Sequence, residues 1–173
     1  MLQIADYSAI ESLRNGQVAK IRALKPDDRE NMLSALDQSS NDSLHRRFFV
    51  VRRHFTDREL DFYLNVDFRT HVALVAVLSE DSREIIIGGA RYVAIEPGAA
   101  ELAVTVVDEY QGQRVGTLLI QHLVKIARDV GLKELRAEVL PSNSSMLKVF
   151  RSLGLTIKTS RDPEVVHIRL ILT

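Results

Sequence analysis

The sequence predicts one α/β (α+β) domain, with a mixed, mostly antiparallel central sheet flanked by helices. Three observations point to it. A chain of 173 residues, 46% apolar and 27% charged, suits a single globular unit with its own core. Hydrophobic periodicity then runs strand, helices, three strands, helix, strand, helix, strand along the chain. Finally, the apolar residues from Val115 to Val130 recur at three and four residues, the mark of one long helix with one buried face.

Residues 1–16 read as an N-terminal extension and 17–173 as the domain. Ile10 and Leu13 stand at helical spacing within Ser8 to Arg14, which predicts one short helix, and Asn15-Gly16 is a turn signal. Val18, Ile21 and Leu24 open the first strand. Pro26 suits the first turn of a helix, Asp27 and Asp28 suit its positive end, and Met32, Leu33 and Leu36 form its inward face. Ser39 to Asp42 breaks that helix, and a second helical region starts near Ser43 with Leu44, Phe48 and Phe49. Thr56, an N-cap with Glu59 three residues on, starts a third helix that buries Leu60, Tyr63 and Leu64.

Val72 to Leu78 is almost wholly apolar and reads as a buried strand. A charged turn, Ser79 to Glu84, leads to strands at Ile85–Ile95 and Glu101–Val107, joined at Pro97-Gly98 as an antiparallel meander. The long helix follows and ends at Gly131. Leu135, Ala137 and Val139 alternate with Glu134, Arg136 and Glu138, which is strand period. Pro141-Ser142-Asn143 leads into a short helix with Met146, Leu147, Phe150 and Leu153, stopped by Gly154, and Val165 to Leu172 is the last strand.

Composition narrows the function classes. Lys plus Arg and Asp plus Glu are both 23, so no global basic field points to nucleic acid or an anionic membrane. The local run Arg46, Arg47, Arg52, Arg53 is interleaved with phenylalanines and reads as a solvated helix face. With no cysteine, disulfides, thiolate metal sites and a cysteine nucleophile are all excluded, and a reducing cytoplasm is the expected compartment. No apolar run reaches the ~20 residues that span a bilayer. The five histidines (His45, His54, His71, His122, His167) are scattered away from metal-ligand spacing, so no metal is expected. His122, on the apolar side of the long helix, reads as a core or boundary residue.

The informative stretch runs from Val106 to Thr117. A strand ends, a polar loop with Gly112 and Gly116 follows, and the long helix begins. The first N–H groups of a helix lack internal partners and carry partial positive charge, so such a junction can hold an anion. An ordinary strand-to-helix turn has the same local chemistry. A P-loop is excluded, because Gly112 and Gly116 are too close and no lysine follows Gly116. Neither Gly88-Gly89 nor Gly112 with Gly116 supplies a dinucleotide fingerprint.

This segment resembles the acetyl-CoA loop of the GNAT superfamily of N-acetyltransferases, Gln/Arg-x-x-Gly-x-Gly/Ala. Gln111 matches the first position and Gly116 the last, while Arg114 stands where the family has its middle glycine. The surrounding order is similar too: a meander before the loop, the long helix after it, then a strand, Asn143 and a helix ending in Leu153-Gly154-Leu155. The likeness covers roughly Val18 to Leu172. Ser43 to Phe49, Arg53-His54, Val139-Leu140 and Met146-Leu147 resemble the GNAT domains of bacterial protein lysine acetyltransferases in particular. Those domains are often fused to a regulatory or acyl-CoA-synthetase-like domain, for which 173 residues leave no room.

The resemblance implies acetyl-CoA as cosubstrate. The pantetheine arm would pair with Val106 and Val107. Backbone N–H groups from Gln113, Arg114, Val115, Gly116 and Thr117, reached through Gln111 and Gly112, would bind the pyrophosphate. Asn143 would contact the CoA arm, although its position before Ser144 equally makes it a helix N-cap. Phe150 would lie beside the CoA where many members carry a tyrosine acid, and it cannot donate a proton. Glu101, ten residues before Gln111, matches the general base of the family's histone and protein lysine acetyltransferases; otherwise it is a strand-edge carboxylate. The acceptor implied is a primary amine, a protein lysine for preference. A small amine, and a CoA-binding module without turnover, stay open beside it. A homodimer is compatible with the sequence.

Overall fold

The computed structural model describes residues 3–38 and 55–173. The helical region expected near Ser43, the arginine run that includes Arg46, Arg47, Arg52 and Arg53, and His45 and His54 lie outside the described residues. The strands are β1 (Ser8–Ser12), β2 (Val18–Ala23), β3 (His71–Glu80), β4 (Arg83–Glu96), β5 (Ala99–Val106), β6 (Glu134–Val139), β7 (Thr156–Arg161) and β8 (Val166–Ile171). The described helices are α1 (Arg29–Asp37), α2 (Asp57–Leu64), α3 (Val115–Asp129) and α4 (Ser144–Arg151).

All eight strands form one sheet in the order β1-β2-β3-β4-β5-β6-β8-β7. Every neighbouring pair is antiparallel except β5 and β6, which run parallel. Alternation sorts the side chains between two layers. On one face Ile21, Leu74, Tyr92, Leu102, Leu135 and Ile168 meet the buried side of α3 and α4. On the other, Ala73, Val75, Val77 and Ile86 meet Leu60 and Leu64 of α2 and the half-buried Met32 and Leu33 of α1. Thr56 caps α2 as expected, its hydroxyl accepting from the Glu59 N–H at 3.2 Å.

Two segments differ from the sequence reading. Ser8 to Ser12 is a strand, β1, which forms a hairpin with β2 through the Asn15-Gly16 turn. The spacing of Ile10 and Leu13 that suggests a helix is fortuitous. Ile10 is 66% exposed, whereas Tyr7 and Leu13 are buried at the two ends of the strand. β1 is also tied to α3 by polar contacts: His122 Nδ1 meets the Tyr7 hydroxyl, and His122 Nε2 meets Glu11 Oε1 at 2.8 Å. The second difference is β7, an edge strand absent from the sequence reading. Only Ile157 of it is partly buried, so it carries no alternating pattern.

A β-bulge shifts the register of β3 and β4 between Ala76 and Val77, placing Ile87 as an extra residue on β4. Gly88 beside it lets α3 approach closely. A Cβ there would stand 2.9 Å from Val115 Cγ1 and 3.1 Å from the Thr105 carbonyl oxygen. Gly88 is thus a packing device.

Candidate active site

β5 and β6 pair only from Ala99 to Glu101 against Glu134 to Arg136. Beyond Glu101 the two strands separate, and the edge of β5 from Leu102 to Val106 loses its β6 partner. A cleft of about 450 Å³ fills the gap. Its walls are β5, Ala137 to Val139 of β6, the start of α3 and one side of α4. Several site residues expected from sequence meet here: Glu101, Val106, Gln111, Gly112, Arg114, Val115, Gly116, Thr117, Asn143 and Phe150 all line it.

The loop is built by short-range bonds. A 3-10 turn at Asp108–Tyr110 lifts the chain off β5, and Gln111 donates from Nε2 back to the Val106 carbonyl at 3.2 Å. Gly112 (φ +79°) and Arg114 (φ +76°) both take the left-handed conformation, after which the chain enters α3. This explains the family's glycine at the Arg114 position: a residue without Cβ reaches positive φ freely, and a non-glycine residue pays about 1–2 kcal/mol. Gly116 faces Val106, where an added Cβ would make ordinary contact at 3.5 Å.

Two expected residues sit away from the cleft. Val107 is 2% exposed, its N–H donates to the Ile87 carbonyl at 2.9 Å, and it faces the opposite side of the sheet. Gln113 is half-buried in the loop, with its side-chain oxygen buried and unpartnered among the described residues. Asn143 has both of its expected positions: it lines the cleft, and its side-chain oxygen accepts from the Met146 N–H at 3.3 Å as the cap of α4. Phe150 is 2% exposed and forms part of the cleft floor.

Arg14 was not singled out by sequence. It stands at the end of the β1–β2 hairpin and lines the cleft beside Arg114. Its Nη1 donates to the Gly112 carbonyl and its N–H to the Gln113 carbonyl, both at 3.4 Å. Two guanidinium groups and the N-terminus of α3 therefore surround the outer end of the cleft, a setting that suits phosphate oxygens. No local pattern could have revealed Arg14, since 98 residues separate it from Gly112.

On the α1–α2 side of the sheet a smaller hollow of about 100 Å³ opens over Gly89, walled by Val75, Ala103 and Thr105 with Phe55 and Tyr63 above. Glu101, Ala103 and Thr105 share this face, and Glu101 is exposed at its margin. Among the described residues no hydrogen bond or ion pair ties up the Glu101 carboxylate. Arg91 crosses the same face. Its Nη1 donates to the Tyr63 carbonyl at 2.9 Å and to His71 Nε2 at 3.0 Å, and its guanidinium lies 4.9 Å from the Tyr63 ring centre. Burial, reinforced by the Arg91 charge, holds His71 down to about 4, so its ring is neutral at pH 7.

Residues 38–155 match the family described as Acetyltransferase (GNAT) family. The chain is 31% identical to Acetyltransferase PA5475 of Pseudomonas aeruginosa over 163 residues, covering 91% of this chain and 87% of that protein. It is 35% identical over 144 residues to Acetyltransferase Pat of Mycolicibacterium smegmatis, covering 82% of this chain but 42% of Pat. Among solved structures, the GNAT domain of S. lividans PAT superposes with a TM-score of 0.84 at 32% identity, covering 94% of this chain and 95% of that domain.

Proposed function

The chain belongs to the GNAT family of acetyltransferases, and from that premise we propose that it transfers acetyl from acetyl-CoA to a protein lysine amine, with Glu101 as general base. The observation that carries the proposal is the wedge between β5 and β6. It joins a phosphate-suited end at the start of α3 to Glu101, the last residue of β5 still paired with β6. Preference for a protein lysine rests on the sequence resemblance to protein lysine acetyltransferases and on the similarity to Pat and PAT.

In this reading Arg14, Arg114 and the first N–H groups of α3 hold the phosphates of CoA, and the free edge of β5 pairs with its pantetheine arm. A lysine ammonium has a pKa near 10.4, so at pH 7.4 only about one in a thousand is neutral. Glu101 takes the proton, directly or through water. The amine nitrogen then attacks the thioester carbonyl carbon, a C–N bond forms, and negative charge gathers on the carbonyl oxygen. As the C–S bond breaks, the sulfur departs as a thiolate. With a thiol pKa of about 8.5, it needs no dedicated acid, which fits Phe150 on the cleft floor.

Glu101→Gln keeps the shape and removes the base. Acetyl-CoA affinity should stay nearly unchanged, and turnover at neutral pH should fall by about 10² or more. That loss should shrink as pH rises toward 10, where solvent deprotonates the amine. Equal rates at pH 7 would return Glu101 to a strand-edge carboxylate. Acetyl-CoA binding without turnover on any amine would favour a CoA-binding module, the alternative that the Arg114 and Phe150 departures leave open.

A further inference from the structure

A transverse row of register partners crosses the sheet through Glu101. His71, Val93, Glu101, Arg136, Arg169 and Lys158 stand opposite one another on β3, β4, β5, β6, β8 and β7. Register partners share a face of the sheet and lie about 5 Å apart. Arg136 is therefore the cation next to Glu101, and on charge alone the two should pair. They do not. The Arg136 guanidinium is committed to two other carboxylates: Nε donates to Glu134 Oε1 at 2.7 Å and Nη2 to Glu96 Oε1 at 2.6 Å. Glu134 is held in turn by Arg169, whose Nε donates to its other oxygen at 2.8 Å. Burial pushes the Glu134 carboxyl up, but the bonds from Arg136 and Arg169 outweigh it and hold the group below the usual carboxylate range. Arg91, Glu138 and His167 are the other charged or titratable groups that β4, β6 and β8 present on this face. Arg91 is engaged by His71 and the Tyr63 carbonyl, and His167 lies beside Asp162 and Glu138.

We propose that Glu96 and Glu134 are positioning residues, which hold the Arg136 guanidinium off Glu101 and so leave that carboxylate free to take the acceptor's proton. The inference rests on the acetyltransferase reading above, with Glu101 as base. In that step an N–H bond of the lysine ammonium breaks, its electron pair stays on nitrogen, and the proton passes to a Glu101 oxygen. An Arg136–Glu101 pair would oppose the step in two ways. Bidentate bonds would occupy the oxygens that must receive the proton and would lower their basicity. The guanidinium would also place positive charge where a cationic amine has to approach.

The double variant Glu96→Gln/Glu134→Gln removes both countercharges and frees Arg136 to turn to Glu101. With acetyl-CoA and a lysine-bearing peptide, kcat/KM for the peptide at pH 7 should fall about 10-fold. The acid limb of its pH profile should move to lower pH by about one unit. The KM for acetyl-CoA should not change. Adding Arg136→Met should restore both rate and profile, a rescue that damage to the fold would not give. The Glu96 side chain is 56% exposed, so Glu96→Gln alone leaves the fold intact and should move the profile the same way by a smaller amount. The carboxyl ¹³C resonance of Glu101 gives a readout that needs no acceptor. Its titration midpoint should lie at lower pH in both variants than in wild type. Identical midpoints in the three proteins would overturn the inference, and so would a loss of rate that Arg136→Met deepens. Full activity of Glu101→Gln at pH 7 would instead remove the base on which the inference rests.

Discussion

Arg114 is where residue-scale chemistry departs furthest from the family pattern. Its left-handed backbone (φ +76°) carries a cost that glycine would avoid, yet its side chain lines the outer end of the cleft. Replacement by glycine removes strain of about 1–2 kcal/mol and adds unfolded-state freedom of roughly half that. Arg114→Gly should therefore melt higher by about 2–4 °C or less, while binding CoA more weakly and with a flatter salt dependence. Thermal melts and CoA titrations at two ionic strengths test both halves. A lower melting temperature would mean that the guanidinium holds the loop together. The missing glycine was visible in the sequence, but the sign of φ that makes it matter was not. Arg14 was less legible still, because its place in the cleft comes from a hairpin brought across 98 residues to Gly112.

At the scale of elements, the seat of α3 on β4 is the tightest fit. Gly88→Ala would force its Cβ to 2.9 Å from Val115 and 3.1 Å from the Thr105 carbonyl, and backbone is the harder of the two to move. Such overpacking should destabilise the fold by about 1–3 kcal/mol, read as a lower urea midpoint at unchanged slope. The start of β3 carries a pH dependence. The Asp67 carboxylate accepts from the N–H groups of Arg69, Thr70 and His71, which holds it at about 2. His71, buried and neutral, is held at about 4. Between pH 6.5 and 4 the unfolded chain binds a proton at this histidine that the folded chain resists. Stability should fall across that window by up to about 3 kcal/mol, with a further loss below it as Asp67 is protonated. Melting curves from pH 7 to 4 should show this, and His71→Gln should flatten the fall. Strands with a clean apolar pattern, such as β3, were legible from sequence. β1 and β7 were not, because an edge strand has few partners to impose alternation and its polarity resembles a loop.

For the whole molecule, ligand and fold are linked. In the proposed reading CoA binds the assembled cleft and not the unfolded chain, so at a hundredfold above its dissociation constant it should add about 2.7 kcal/mol of stability. Melting with and without CoA reads this directly, and an unchanged midpoint at saturating CoA would remove CoA as the ligand. The overall order of elements was legible because periodicity survives averaging along the chain. The loop from Gln111 to Thr117 was legible as a strand-to-helix junction, and as a CoA loop only through the family resemblance. Glu101 needed the family resemblance, because an exposed carboxylate on a strand looks like any other in the sequence.

A sheet ordinarily has two edges, and each invites another chain to add a strand. This one has its outer edges at β1, only five residues long, and β7, which turns Lys158, Thr159, Ser160 and Arg161 to solvent. Both resist fibrillar stacking in familiar ways. The parting of β5 from β6 creates a second pair of edges inside the molecule, one of them lined by the apolar Leu102, Val104 and Val106. The wedge closes at Glu101, and α3 and α4 wall it in. In the proposed reading the pantetheine arm enters there and completes the hydrogen bonding of that edge. In that reading the chain keeps one inner strand edge on offer to its cosubstrate, while its short or polar outer edges discourage further pairing.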